Sequence, residues 1–182
     1  MLIKPKFEEK LSGVYSFGGR TIAKAKACFS APIFQTLWNG FCCGCGVLSL
    51  ETVADNVFTI GNVDFVKQPT SGYVLEITEK GVSIAASDEK NLLYGFYAFL
   101  ERIRPISTEE NQECFNVPCC RVTDEPKIGV RMVHFCVFPE MKLDFLRKCL
   151  QISAFLRYTH VIVEFWGTLK FDCLKELGWQ EA

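Results

Sequence analysis

A chain of 182 residues is long enough to bury a sizeable core, and 49% hydrophobic with 13% aromatic residues is rich for a solvated monomer, as expected of a chain with apolar surface reserved for further elements. Twenty basic against 21 acidic side chains leave a net charge of -1 with no run of one sign, which argues against nucleic acid or anionic lipid as a partner. Residues 1–9 contain no apolar signal region and no apolar run approaches the ~18 residues that span a bilayer, so a cytoplasmic location is expected, with the ten cysteines as reduced thiols.

Residues 14–17 and 20–27 flank Gly18-Gly19, a pair suited to a tight turn, and predict a hairpin. Ser30 can cap the helix that follows. Pro32 suits its first turn, Phe34, Trp38 and Phe41 mark its buried face, and Gly40, Gly44 and Gly46 end it. Short strands are predicted over 47–50, 57–60 and 63–66, separated by Asp55-Asn56 and Gly61-Asn62. The clearest pattern comes next: Tyr73, Leu75 and Ile77 alternate with Val74, Glu76 and Thr78, Gly81 takes a left-handed turn position, and Val82, Ile84 and Ala86 resume the alternation. This predicts a hairpin with one face buried.

Ser87 and Asp88 can cap a helix carrying Leu92, Phe96, Phe99 and Ile103 on one stripe, and Pro105 stops it. The polar stretch 106–116 has no period and is assigned to a surface connector. From residue 129 the chain reads strand (129–138), helix (141–158), strand (160–166), with Phe145, Cys149, Ile152 and Leu156 as the helix's core stripe. Such a unit opens a β/α barrel, which needs about 250 residues, so the sequence is expected to be the front of a larger enzyme.

Two segments carry a family resemblance. Residues 72–88 followed by Asn91-Leu92-Leu93-Tyr94-Gly95-Phe96 resemble the small N-terminal α/β domain of glycoside hydrolase family 20, the β-N-acetylhexosaminidases, in which a hairpin leads into a helix bearing a Tyr-Gly step. Asp124-Glu125-Pro126 and the arginine at 131 resemble that family's entry into its barrel. The resemblance implies an α+β chain: a small domain over residues 1–122, with helices packed on an antiparallel or mixed sheet, followed over 123–182 by the truncated start of a (β/α)₈ barrel. The same small domain also precedes barrels of families 84 and 67, which stay open as alternatives.

In family 20 the sugar's own 2-acetamido oxygen attacks the anomeric carbon, oriented by an aspartate and assisted by a neighbouring glutamate as general acid and base. That Asp-Glu pair belongs to the fourth barrel strand, beyond this sequence. The resemblance therefore implies no catalytic residue here, and an inactive isolated chain. It implies a carbohydrate partner, an N-acetylhexosamine-containing glycan, for the complete protein, and neither cofactor nor metal. A non-catalytic carbohydrate-binding or interaction protein is the reading from a different functional class.

Three residues are candidate substrate contacts. Arg131 matches the family arginine that hydrogen-bonds sugar hydroxyls, a task for a planar fork of donors; the alternative is a strand-start arginine paired with Asp124 or Glu125. Glu164 and Trp166 stand at the C-terminal end of the second strand, where a carboxylate beside an indole can hold hydroxyls against an apolar ring face. The alternative for Glu164 is an interior carboxylate awaiting a partner. The chain departs from the family where members carry His-x-His, since it reads Val161-Ile162-Val163-Glu164-Phe165-Trp166, and Cys136 stands near the place of the first strand's aspartate.

His134 and His160 are expected to be hydrogen-bonded packing residues. The clusters Cys42-Cys43-Gly44-Cys45 and Cys114, Cys119, Cys120 make a four-thiolate zinc site arithmetically possible, but the second spacing is irregular and packing thiols are the expectation.

Overall fold

The computed structural model describes residues 4–18, 20–41, 47–106 and 114–167, which divide into two units, Met1–Pro126 and Lys127–Ala182. The first unit runs β1 (Phe7–Gly18), β2 (Arg20–Lys26), a 3-10 turn (Ala27–Ser30), α1 (Pro32–Phe41), β3 (Val47–Val53), β4 (Val57–Gly61), β5 (Tyr73–Thr78), β6 (Gly81–Ala86), α2 (Glu89–Leu100), β7 (Arg104–Ile106) and β8 (Cys114–Asp124). Its sheet has the order β1-β8-β5-β6-β4-β2-β3, with β7 also on β8. Every pairing is antiparallel except β2 with β3.

The β5–β6 hairpin is built as the alternation predicts, with Thr78 opposite Gly81 across Glu79-Lys80. It is buried on both sides of β6, however, not on one. Successive strand residues face opposite ways, so two covers are needed. On one side Ile84 meets α2 at Gly95; on the other, the Val66 amide donates to the Ser83 hydroxyl at 3.0 Å, and Gln68 reaches the Ala86 carbonyl at 2.8 Å. Residues 63–66 are thus an irregular cover rather than the expected strand. Gly81 has the positive φ expected of it, +153, but begins β6 rather than sitting in the turn; a Cβ there would lie 2.1 Å from the Ile60 carbonyl oxygen.

Asp88 caps α2 by accepting from the Asn91 amide at 2.8 Å, satisfying one of the first-turn donors. The helix lies so close to the sheet that a Cβ on Gly95 would come within 2.6 Å of Ile84 Cγ2 and 3.0 Å of Tyr73 Cδ2. The Tyr-Gly step is therefore a packing device. Around it an aromatic seam joins the elements: Phe29 to Phe34 at 4.6 Å, Phe29 and Phe58 each to Phe96 at 5.0 Å, and Phe17 to Trp38 and Phe115 at 5.7 and 5.5 Å. Fully burying each such ring contributes about 1.5–3 kcal/mol.

Three other expectations change. Residues 14–17 and 20–26 are strands, but β1 pairs with β8 and β2 with β3 and β4, so they form no hairpin with each other; Gly19 lies outside the described residues. Cys114 to Asn116, assigned to a connector, begin the eleven-residue β8, whose Phe115, Val117 and Val122 are buried. Gly40 lies within α1, while Gly44 and Gly46 are outside the described residues.

The second unit contains β9 (Met132–Val137), α3 (Leu143–Phe155) and β10 (His160–Phe165), with β9 and β10 parallel. These are the predicted strand, helix and strand. The α3 stripe is not a closed core: Phe145 and Ile152 are 57% and 58% exposed, and Val161, Ile162, Phe165 and Trp166 on or next to β10 are exposed too. Two parallel strands and one helix offer too little surface to cover one another. Among the described residues, no helix is long and apolar enough to cross a membrane.

Gly95→Ala is expected to destabilise the first unit by about 1–3 kcal/mol through overpacking against Ile84 and Tyr73. An unchanged urea midpoint in the variant would contradict this close-approach account.

Candidate functional site

Parallel pairing in the second unit sets Ile162 opposite His134 and Glu164 opposite Cys136. Because strand side chains alternate, His134 and Cys136 share a face of β9, and Glu164 projects from the same face of β10. His134 Nε2 lies 3.0 Å from Glu164 Oε2, and the Cys136 thiol donates to the same oxygen at 3.6 Å. His134 and Glu164 are half-exposed, at 48% and 44%, so the group is open to solvent. One residue beyond each strand, Phe138 and Trp166 bring their rings to 6.2 Å at an interplanar angle of 36°.

The sequence-predicted residues thus fall in two places. Glu164 and Trp166 share one neighbourhood at the C-terminal ends of the strands, as expected. Arg131 is at the other end of β9, five residues before Cys136, or about 16 Å along an extended chain. There its Nε donates to the Arg157 carbonyl at 2.8 Å and its Nη1 to the Ile128 carbonyl, while its amide donates to the Thr159 hydroxyl at 2.9 Å. Arg157 has φ +66, a costly conformation for a non-glycine residue, and the guanidinium fixes the turn that contains it. The structure does not bring Arg131 to Glu164 or Trp166.

His134 departs from its expectation. It is no packing residue: it stands half-exposed against a carboxylate with a thiol beside it. Single-residue reading missed it because the signal is a cross-strand register; the two-residue spacing His134-x-Cys136 on a predicted strand was the available clue. His160 is also exposed, with Nδ1 2.9 Å from the Thr159 hydroxyl.

The Cys136 thiol is held above its usual range, first by desolvation and then by the Glu164 charge and the hydrogen bond donated to that carboxylate, with a hydrogen bond involving Trp166 acting in the opposite direction. In the first unit Cys119 and Cys120 are buried, and burial pushes both thiols up. As neighbours on a strand they face opposite sides and do not converge on one ion. Cys42, Cys43 and Cys45 of the other cluster, and the side chain of Cys114, lie outside the described residues.

No protein-family model and no curated protein matches the chain. Its fold does match solved structures. A family 20 exo-β-N-acetylglucosaminidase from Vibrio harveyi, solved in complex with N-acetylglucosamine, is similar with a TM-score of 0.69 at 14% identity, over 97% of this chain and 28% of that one. The family 20 β-N-acetylhexosaminidase of Streptomyces coelicolor A3(2) gives 0.62 at 16% identity, over 87% and 33%. The β-N-acetylhexosaminidase of Bacteroides fragilis NCTC 9343 gives 0.58 at 18%, over 87% and 31%. The chain spans about a quarter to a third of the length of these proteins. The likeness agrees with the family resemblance read from the sequence.

Because a raised thiol pKa lowers the thiolate fraction at a given pH, Cys136 should alkylate slowly near neutrality. Glu164→Gln is expected to move its rate-against-pH curve to lower pH, leaving the elevation that desolvation causes. Peptide-resolved mass spectrometry after iodoacetamide treatment checks this; an unmoved curve rules out Glu164 as a cause.

Proposed function

We propose that this chain is the N-terminal part of a family 20-like glycoside hydrolase acting on β-linked N-acetylhexosamine residues. The observation that carries the proposal is the likeness over 97% of the chain to an N-acetylglucosamine-bound enzyme of that family. In this reading the second unit is the first strand-helix-strand of the barrel, and the apolar surface on β10 and α3 is covered by later strands and helices. The exposed Phe145, Ile152 and Ile162 support it.

Glu164 and Trp166 are the proposed sugar contacts. Ligands of parallel β/α folds bind at the C-terminal ends of the strands, the end where the Trp166 and Phe138 rings meet. Beside Phe138 an open concavity of about 490 Å³ is lined also by Glu140, Met141, Lys142 and Phe145. A ring pair offers the apolar face of a pyranose a flat surface, and a carboxylate accepts from its hydroxyls. Arg131 is left out of this pair because its guanidinium holds backbone carbonyls at the far end of β9. Chemistry by the sugar's acetamido group requires an Asp-Glu pair from a later strand.

Three outcomes are expected. The 182-residue chain alone should release no product from a chromogenic β-N-acetylglucosaminide, and detectable turnover abolished by Glu164→Gln would refute the division of labour proposed here. The coding sequence downstream of Ala182 should contain an adjacent acidic pair at the fourth barrel strand. In the protein extended by that sequence, Trp166→Ala should lower kcat/KM about tenfold or more, the scale of one lost stacking contact; a continuation without the pair overturns the enzymatic reading.

A further inference from the structure

His134, Cys136 and Glu164 form a group with the chemistry and spacing of a metal centre. Their ligand atoms all lie within 4.8 Å of one another, one each from an imidazole, a thiol and a carboxylate. Tetrahedral zinc with ligands at about 2.0–2.3 Å sets neighbouring ligand atoms about 3.3–3.8 Å apart. The Cys136–Glu164 separation, 3.6 Å, falls within that range, and the His134–Glu164 separation, 3.0 Å, is a few tenths of an ångström shorter. We propose that the His134–Cys136–Glu164 face of β9 and β10 binds a divalent cation of borderline softness, zinc above all, through three protein ligands.

The backbone explains why the ligands converge. A two-residue step along β9 puts His134 and Cys136 on one face, and the parallel register sets Glu164 directly across from Cys136 and diagonal to His134. Mixed N, S and O donors select zinc over magnesium or calcium, which prefer oxygen alone. Entry is open, since His134 and Glu164 are half-exposed. Three protein ligands leave a fourth position for water, the arrangement of zinc sites that do chemistry rather than hold a fold together. On binding, the Cys136 thiol proton passes to solvent and the ion replaces it as the positive partner of Glu164. The inference rests on the geometry of the second unit alone and does not require a glycan substrate.

Cobalt(II), a tetrahedral stand-in for zinc with visible absorption, provides the test on the reduced, chelator-treated 182-residue chain under anaerobic conditions. Expected are a thiolate-to-cobalt charge-transfer band, its loss in Cys136→Ser, and affinity lower by about tenfold or more in His134→Gln and Glu164→Gln. Zinc should displace the cobalt and protect Cys136, but not Cys149, from alkylation in the peptide-resolved assay. A band that persists undiminished in Cys136→Ser would put the ion on other thiols and overturn the proposal, as would the absence of any band. The alkylation readout needs no variant, so a variant that fails to fold leaves the proposal open to refutation: equal protection of Cys136 and Cys149, or none at Cys136, rejects it.

Discussion

A strand side chain faces one of two sides, and this period of two decides what each unit can be. In the first unit it sends Val82, Ile84 and Ala86 toward α2 and leaves Ser83 and Ala85 on the opposite side, so β6 is a core strand only because the irregular segment before β5 supplies a second cover. In the second unit the same rule, with the parallel register, lines up His134, Cys136 and Phe138 with Ile162, Glu164 and Trp166. A slip of one residue on β10 would separate Glu164 from both of its partners.

The two units use this constraint differently. The first surrounds its central strands with rings from the 3-10 turn, both helices and three strands, and ties β1 to the end of α2 through Arg102 and Glu8 at 2.6 Å. The second keeps polar and aromatic groups accessible on one face and apolar side chains exposed on its helix.

Legibility in the sequence followed the range of the interactions. The β5–β6 hairpin, the Asp88 cap and the strand-helix-strand of the second unit were readable because their signals span a few residues each. Strand β8 was hidden: Pro118, Arg121 and two adjacent cysteines interrupt its alternation, and its buried positions make sense only beside β1 and β5. The Gly95 contact was visible as a motif but not as a mechanism, since Tyr73 and Ile84 come from two other elements. The metal-like group escaped for the same reason. A histidine and a carboxylate 30 residues apart carry no joint signal until a register sets them 3.0 Å apart.

The pairing of β1 with β8 joins Phe7 to Thr123 and Gly18 to Cys114, so the first described strand of this unit is completed by its last. At about 5–20 residues per second of synthesis, an interval of roughly a hundred residues keeps β1 without its ladder for about 5–20 s. Of its three exposed apolar side chains, Phe7, Leu11 and Val14, the first two are separated by Glu8, Glu9 and Lys10. Charges at that spacing discourage pairing with the same segment of a neighbouring nascent chain. The composition of β1 is thus suited to waiting on the ribosome as well as to its place in the finished sheet.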